Sequence, residues 1–87
     1  MAYRIEFTTK AHKQFRDLQK PIQKRLANRI DALANDPRPQ GVTKLSTEES
    51  LYRVRAGDYR VIYQIQDKVL LVLIVGIGHR SDVYKGI

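Results

Sequence analysis

Residues 51–66, LYRVRAGDYRVIYQIQ, alternate between two kinds of side chain on either side of a Gly-Asp pair. Alternation with a period of two is typical of a β-strand, and a type II′ turn needs a first residue with positive φ, which glycine adopts readily. The segment therefore predicts a β-hairpin whose loop is Gly57-Asp58. In this register one face of the hairpin is apolar and aromatic, whereas the other carries Arg53, Arg55 and Arg60.

The arginine side of the predicted hairpin has two interpretations. Its register sets Arg55 directly opposite Arg60, and like charges that face each other across a ladder destabilise it. A sheet built only for stability would avoid this pair, which favours an anion bound between the guanidinium groups. The same pattern is also typical of a solvated basic face on an amphipathic hairpin. The hairpin alone does not choose between them.

The segments before the hairpin predict one strand and two helices. Residues 2–7 alternate apolar and charged side chains, as a half-buried strand does, and a threonine that can act as N-cap follows them. Apolar residues at helical spacing then predict a helix over about 10–19 and a second one that starts near Pro21 and runs to about 35. Residues 42–50 are less regular, with a short strand expected around 44–45.

The segment after the hairpin predicts the centre of the sheet. If Asp67-Lys68 is a two-residue loop, the next strand covers 69–77 and is apolar on both faces, as central strands are. That loop length sets Arg60 opposite Val75 and brings His79 to the arginine side. The element order β-α-α-β-β-β predicts an α+β fold, with two N-terminal helices packed on one face of a mainly antiparallel four-stranded sheet.

The composition narrows the class of partner. Sixteen Lys and Arg against nine Asp and Glu give a net charge of +7, which favours a polyanionic partner such as nucleic acid or the ribosome. The chain has no cysteine and so no disulfide or thiolate metal site, which suits the cytoplasm. Neither a signal peptide nor a stretch long enough to enter a membrane is predicted. We expect residues 1–87 to form one domain.

The residues able to carry chemistry are mainly cations. The acidic residues form no metal-ligand spacing with the two histidines, and a glycine-rich phosphate loop is missing. The set that remains is Arg53, Arg55, Arg60, His79, Arg80 and Tyr84. Arginine binds phosphate oxygens bidentately, histidine can move a proton near neutral pH, and tyrosine can stack on a base. This set suits RNA cleavage without metal, although simpler roles for Arg80 and Tyr84, a solvated cation and an anchor for the tail, stay open.

At these residues the sequence resembles the RelE toxins of bacterial toxin–antitoxin modules, within the wider RelE/ParE superfamily. The similarity runs over nearly the full length, and its specific parts are GDYRVIYQI at 57–65 and GHRSDVY at 78–84. The resemblance implies an RNase that enters the ribosomal A site and cuts the mRNA codon there, with neither metal nor another cofactor. It also implies a cognate antitoxin whose extended segment wraps the toxin.

The resemblance also implies roles for individual residues. Arg60 matches the family's phosphate-binding arginine, Arg80 matches one that stabilises the transition state, and Tyr84 matches a tyrosine that stacks on a substrate base. Well-studied relatives carry lysines in place of Arg53 and Arg55, one of them proposed to assist proton transfer. Because arginine does not easily release its proton, these two are expected to bind substrate phosphate. His79 is then the candidate general base.

The resemblance favours a ribosome-dependent, metal-independent mRNA endoribonuclease toxin, and two alternative functions stay open. One is a ParE-like inhibitor of DNA gyrase on the same fold, a class that generally lacks this arginine and tyrosine set. The other is a basic module that binds RNA or the ribosome without catalysis, which the loss of both lysines favours. Fold does not settle function, so the residues of the site must decide.

Overall fold

The fold of residues 2–79, which a computed structural model of the protein describes, is a twisted sheet with two helices on one face. In chain order the elements are β1 (Arg4–Phe7), α1 (Thr9–Arg16), α2 (Lys20–Ala32), β2 (Thr43–Ser46), β3 (Leu51–Ala56), β4 (Tyr59–Gln66) and β5 (Leu71–His79). The sheet order is β1-β5-β4-β3-β2, with β1 parallel to β5 and the other neighbours antiparallel. The α+β class and the mainly antiparallel sheet are confirmed.

The sheet has five strands within the described residues, one more than predicted. The fifth strand is β2, Thr43–Ser46, which confirms the short strand expected around residues 44–45 and shows that it belongs to the sheet. Thr43 pairs with Arg53 and Lys44 with Tyr52, and the pairing is irregular before Ser46. The outer edge of β3 offers the unpaired backbone groups with which these residues pair, and this pairing partner was not part of the prediction.

Side-chain hydrogen bonds cap the start of α1 and connect its end to α2. Thr8 Oγ1 accepts a hydrogen bond from the Ala11 backbone N at 3.1 Å, which satisfies an N–H that the first turn of α1 leaves unpaired. The Gln23 side-chain amide of α2 lies 3.0 Å from each of three carbonyl oxygens between residues 15 and 18. These contacts end α1 at Arg16, three residues before the predicted end. No helix within residues 2–79 is long and apolar enough to cross a bilayer.

The core lies between the helices and the face of the sheet that they cover. Tyr63 is its largest fully buried side chain, packed with others from α2 and the central strands, among them Leu26, Ile30, Val54, Val61, Val72 and Ile74. The Tyr63 hydroxyl donates to the Pro37 carbonyl oxygen at 2.7 Å, so its burial is compensated. Burial raises the pKa of the Tyr63 phenol well above its ordinary value, which keeps the hydroxyl protonated and able to donate.

A 3₁₀ turn over Asp67–Val69 replaces the predicted two-residue loop, and Leu70 closes it with a left-handed backbone at φ 53°. The Asp67 carboxylate accepts hydrogen bonds from the Tyr3 hydroxyl at 2.6 Å and from two nitrogens of Arg38 at 2.9 and 3.2 Å. Arg38 Nε also donates to the Tyr52 hydroxyl at 3.2 Å. These four residues, which we call the Asp67 cluster, connect the segment before β1, the loop around Arg38 and strand β3 to the turn before β5.

Acid should weaken the Asp67 cluster. The hydrogen bonds from Arg38 and Tyr3 hold the pKa of the Asp67 carboxyl at about 2, against an ordinary value of 3.8. Because the folded-state pKa is the lower one, the carboxylate contributes stability above about pH 4, and this contribution disappears as the pH falls through about 2. We therefore expect the melting temperature of Asp67→Asn, measured by calorimetry, to fall less between about pH 5 and pH 2 than that of the wild type.

Asp58→Asn is the matched control for this experiment. It removes one carboxylate from the turn between β3 and β4, where Asp58 makes no ion pair with a residue between 2 and 79. Its melting curve against pH should run parallel to that of the wild type. If Asp67→Asn also runs parallel, the Asp67 cluster does not stabilise the fold.

The register between β4 and β5 differs from the prediction. Ile62 pairs with Gly76 and Tyr63 with Ile74, so Val75 is an extra residue in β5, as in a β-bulge. Beyond this bulge every residue of β5 is displaced by one position relative to β4. The prediction that Arg60 faces Val75 was wrong, because the longer turn after β4 shifts the register by two residues and the bulge shifts it by one more, which sets Arg60 opposite Gly78. Only the shift of one residue reverses the alternation of faces, and it does so beyond Val75.

Candidate functional site

The β3–β4 hairpin positions its arginines as the sequence predicted. Gly57 has a φ of 64° and opens the two-residue turn. Arg55 pairs with Arg60 across the ladder, and Arg53 pairs with Ile62. The alternate positions of both strands lie in the core, among them Val54, Ala56 and Val61. Arg53, Arg55 and Arg60 therefore share the face of the sheet opposite α1 and α2, which we call the arginine face.

The arginine face has an apolar centre. Ile62 lies next to the arginine positions and is 0 % exposed, and Leu71 on β5 is 8 % exposed. Opposite Ile62 and Arg60, β5 carries Gly76 and Gly78, which add no side chain to this face. Arg53 and Arg60 thus lie beside a buried apolar floor formed by Ile62, whereas Leu71 lies farther along the face, opposite Gln66. A floor that excludes water strengthens the interaction of neighbouring guanidinium groups with an anion.

Neighbouring groups orient two of the arginines. Arg53 Nη2 donates to Thr43 Oγ1 of β2 at 3.3 Å, and Arg60 Nη1 lies 3.4 Å from the Tyr59 carbonyl oxygen. Neither Arg55 nor Arg60 forms an ion pair with any residue between 2 and 79. Both are thus available to an external anion, which favours the anion interpretation over a merely solvated face. Thr43 was not among the predicted site residues, because its position next to Arg53 follows from the pairing of β2 with β3.

His79 does not lie on the arginine face, contrary to the prediction. The bulge at Val75 pairs His79 with Tyr59, and the two rings meet edge to face with their centroids 5.6 Å apart. Tyr59 packs against the core cluster, so His79 points to the side of the sheet that carries the helices. The predicted approach of His79 to Arg60 was wrong, because a single extra residue reverses the alternation of a strand.

Arg80 and Tyr84 lie outside the described residues, which end at His79. Their predicted roles, in transition-state stabilisation and base stacking, stay predictions. Of the six candidate residues, the structure brings Arg53, Arg55 and Arg60 together. Within residues 2–79 no three His, Asp or Glu side chains converge in a way that could hold a metal ion.

Two arginines of α2, Arg25 and Arg29, lie against the hairpin. Arg29 Nε donates to the Arg55 carbonyl oxygen at 3.2 Å, on a part of β3 that β2 does not reach. Arg25 lies close to the turn, since a Cβ at residue 57 would come within 3.0 Å of its Nη1. The i, i+4 spacing of Arg25 and Arg29 is the signal that could have indicated a shared direction.

Comparisons with known proteins relate this chain to toxins of toxin–antitoxin systems. A sequence model described as the ParE toxin of the type II toxin–antitoxin system parDE matches residues 5–84. A putative RelE-like toxin protein of Escherichia coli is 32% identical over 98% of this chain and 93% of its own length. The mRNA interferase toxin RelE of Escherichia coli strain K12 is 30% identical with the same coverage of both chains.

A solved structure gives the same relationship in three dimensions. A chain in the crystal structure of the archaeal RelE–RelB complex from Pyrococcus horikoshii superposes with a TM-score of 0.82 and 33% identity, and the match covers 92% of this chain and 97% of that one. The protein therefore belongs to the RelE family of type II toxin–antitoxin toxins, within the RelE/ParE superfamily.

Proposed function

We propose that this toxin is a ribosome-dependent endoribonuclease that cuts mRNA in the ribosomal A site and so inhibits translation. The observation that carries the proposal is the facing pair of Arg55 and Arg60, which forms no ion pair with a residue between 2 and 79. The similarity to the mRNA interferase toxin RelE of Escherichia coli supports mRNA as the substrate. The similarity to a chain of a RelE–RelB complex supports a cognate antitoxin as partner. Since its proposed target is the translating ribosome, we place the toxin in the cytoplasm.

In the proposed reaction the nucleophile belongs to the RNA. The 2′-oxygen attacks the adjacent phosphorus as its proton passes to water, and the bond to O5′ breaks as that oxygen takes up a proton from water. The products are a 2′,3′-cyclic phosphate and a 5′-hydroxyl. Negative charge grows on the phosphorane oxygens, where Arg60 and Arg55 stabilise it through bidentate hydrogen bonds. Arg53, oriented by Thr43, holds the substrate phosphate, while Arg80 adds a second stabilising charge and Tyr84 stacks on a base.

Metal-independent catalysis is part of the same proposal. A divalent ion in such a reaction would neutralise charge on the phosphate, and the arginine face offers guanidinium groups for that task. The described part of the face carries three such groups, those of Arg53, Arg55 and Arg60. In the proposed reaction, side chains therefore supply the positive charge that stabilises the phosphorane.

Replacing His79 with glutamine should leave the pH dependence of cleavage unchanged. The imidazole meets the Tyr59 ring on the side of the sheet opposite Arg60, so it does not reach a 2′-OH whose phosphate is held on the arginine face. A general base must lie within hydrogen-bonding distance of the proton that it removes. The rate of cleavage on programmed ribosomes should be followed across neutral pH. Loss of an inflection in the profile of His79→Gln would restore this residue as the base.

One experiment separates the proposed function from its rivals. Purified toxin is incubated with programmed ribosomes, and the 5′ ends of the mRNA are mapped by primer extension. Cuts within the A-site codon support the endoribonuclease. Intact mRNA together with lost gyrase supercoiling supports a ParE-like inhibitor, the candidate that the matching family description favours. Ribosome association without either effect supports a binding module without catalysis.

A further inference from the structure

A pocket of about 430 Å³ lies between α2 and the end of β3. Its lining residues are Arg25, Asn28, Arg29, Ala32, Arg55 and Ala56. Three of the six are arginines and none is acidic. The hydrogen-bond donors of this lining are the guanidinium groups of Arg25 and Arg29 and the amide of Asn28, since the Arg55 side chain projects from the arginine face. Apart from Arg55, none of these lining residues belongs to the candidate residues of the arginine face or to the motifs of the resemblance.

The geometry of α2 and the hairpin builds this pocket. Arg25, Asn28 and Arg29 follow at i, i+3 and i+4, so they share one face of the helix. Arg29 is held by its Nε bond to the Arg55 carbonyl oxygen, 3.2 Å long, and its terminal nitrogens form no hydrogen bond to a residue between 2 and 79. Gly57 has no Cβ, which allows Arg25 Nη1 to lie against the hairpin turn.

The positive charges of the pocket favour the binding of an anion. Guanidinium groups gathered around one space repel each other, which raises the free energy of the empty site unless a negative group joins them. A planar guanidinium presents paired donors that match the oxygens of a phosphate. Neither Arg25 nor Arg29 forms an ion pair with any of the described residues. A phosphodiester group therefore fits the pocket in both charge and geometry.

We propose that this pocket binds a backbone phosphate of the RNA at a distance from the bond that is cut. Arg55 belongs to both sites, because its side chain projects from the arginine face and its carbonyl oxygen holds Arg29. Gly57, beside Arg25, is two residues from Arg55, or roughly 7 Å along the strand. A strand cleaved at Arg60 thus continues over the outer edge of β3 and against α2. The choice of RNA as the source of the phosphate rests on the proposed function.

The test measures RNA binding without cleavage. The probe is a 2′-O-methyl RNA oligonucleotide, which lacks the attacking hydroxyl, and fluorescence anisotropy gives its affinity between about 50 and 200 mM salt. We expect Arg25→Gln to weaken binding by about tenfold, and to reduce the salt slope by about 0.7, the value for one phosphate contact with a single strand. Thermal unfolding of the variant should match the wild type, since Arg25 is exposed.

Lys24→Gln is the matched control. Lys24 lies on the same helix and loses the same charge, but it lines a different groove, with Phe15, Lys20 and Gln23. Its affinity and salt slope should stay near those of the wild type. Equal losses of RNA affinity in Arg25→Gln and Lys24→Gln would show that only the overall positive charge matters, and would overturn the proposal. Binding of an oligoglutamate peptide that depends on Arg25, with RNA binding that does not, would also overturn it in favour of a protein ligand.

Two further measurements separate this proposal from the proposed function. Added inorganic phosphate should shift the NMR signal of the Asn28 side-chain amide until the wild-type site is saturated, and should not shift it in Arg25→Gln. A wild-type signal that does not move would overturn the proposal. On programmed ribosomes Arg25→Gln should raise KM and leave kcat unchanged, because the pocket holds RNA away from the reacting atoms. If the wild type cuts no mRNA while the oligonucleotide still binds through Arg25, the pocket stands and the proposed function fails.

Discussion

Replacing Arg60 with alanine should slow mRNA cleavage by about 10²-fold or more, because removal of one group that stabilises transition-state charge has a cost of this size. Arg60 faces Arg55 across the ladder and forms no ion pair with a residue between 2 and 79. Its guanidinium is therefore not engaged in holding the fold, and the effect should appear in kcat. The measurement is the rate of A-site cleavage on programmed ribosomes under saturating toxin.

Two variants sharpen the interpretation of Arg60→Ala. Arg60→Lys keeps the charge but loses the bidentate fork, so it should recover only part of the rate. Arg16→Ala removes the same charge from the exposed end of α1, far along the chain from the hairpin, and should cleave like the wild type. Near-normal cleavage by Arg60→Ala, or an equal loss in Arg16→Ala, would remove Arg60 from the site.

Replacing Tyr63 with alanine should lower the free energy of unfolding by about 3–5 kcal/mol, the range for large aromatic side chains deleted from a core. Tyr63 is 0 % exposed and is the largest fully buried side chain among the described residues. It also stacks near Tyr52, with ring centroids 6.0 Å apart. Since domains of this size are stable by only about 5–15 kcal/mol, this one change should remove much of the total. Urea unfolding measures it.

Tyr63→Phe separates the hydroxyl from the ring. It keeps the packing but leaves the Pro37 carbonyl oxygen without its donor at 2.7 Å, which should cost about 1–3 kcal/mol. Tyr59→Phe is the control, because Tyr59 is only half-buried, and its stability should change little. If Tyr63→Phe and Tyr63→Ala lose the same amount, the ring contributes nothing to the core and our account of its packing is wrong.

The hairpin and the helices could be predicted from the sequence for local reasons. Alternation over residues 51–66 and the need for positive φ at Gly57 determine which residues face each other, so the facing of Arg55 and Arg60 was predictable. The N-cap at Thr8 and the apolar spacing along α2 likewise act over a few residues. These features depend on interactions between close neighbours in the chain.

Features that depend on distant segments could not be predicted in this way. The pairing of β2 with the free edge of β3, which sets Thr43 opposite Arg53, joins residues 10 positions apart. The bulge at Val75 lies directly after the residues of β5 that pair with β1, and it decided the position of His79. The contact of Arg29 with the Arg55 carbonyl joins residues 26 positions apart. Such outcomes depend on how whole elements pack, which no short window of sequence contains.

The sequence by itself determined the class of the fold, the direction of the three arginines and the positive charge that indicates a polyanionic partner, because periodicity, turn chemistry and composition act locally or as a sum. Only the tertiary structure decided which cations meet. It joined Arg25 and Arg29 of α2 to the hairpin and moved His79 to the other side of the sheet. The physical reason is that packing and strand register are set by contacts between segments far apart in the chain.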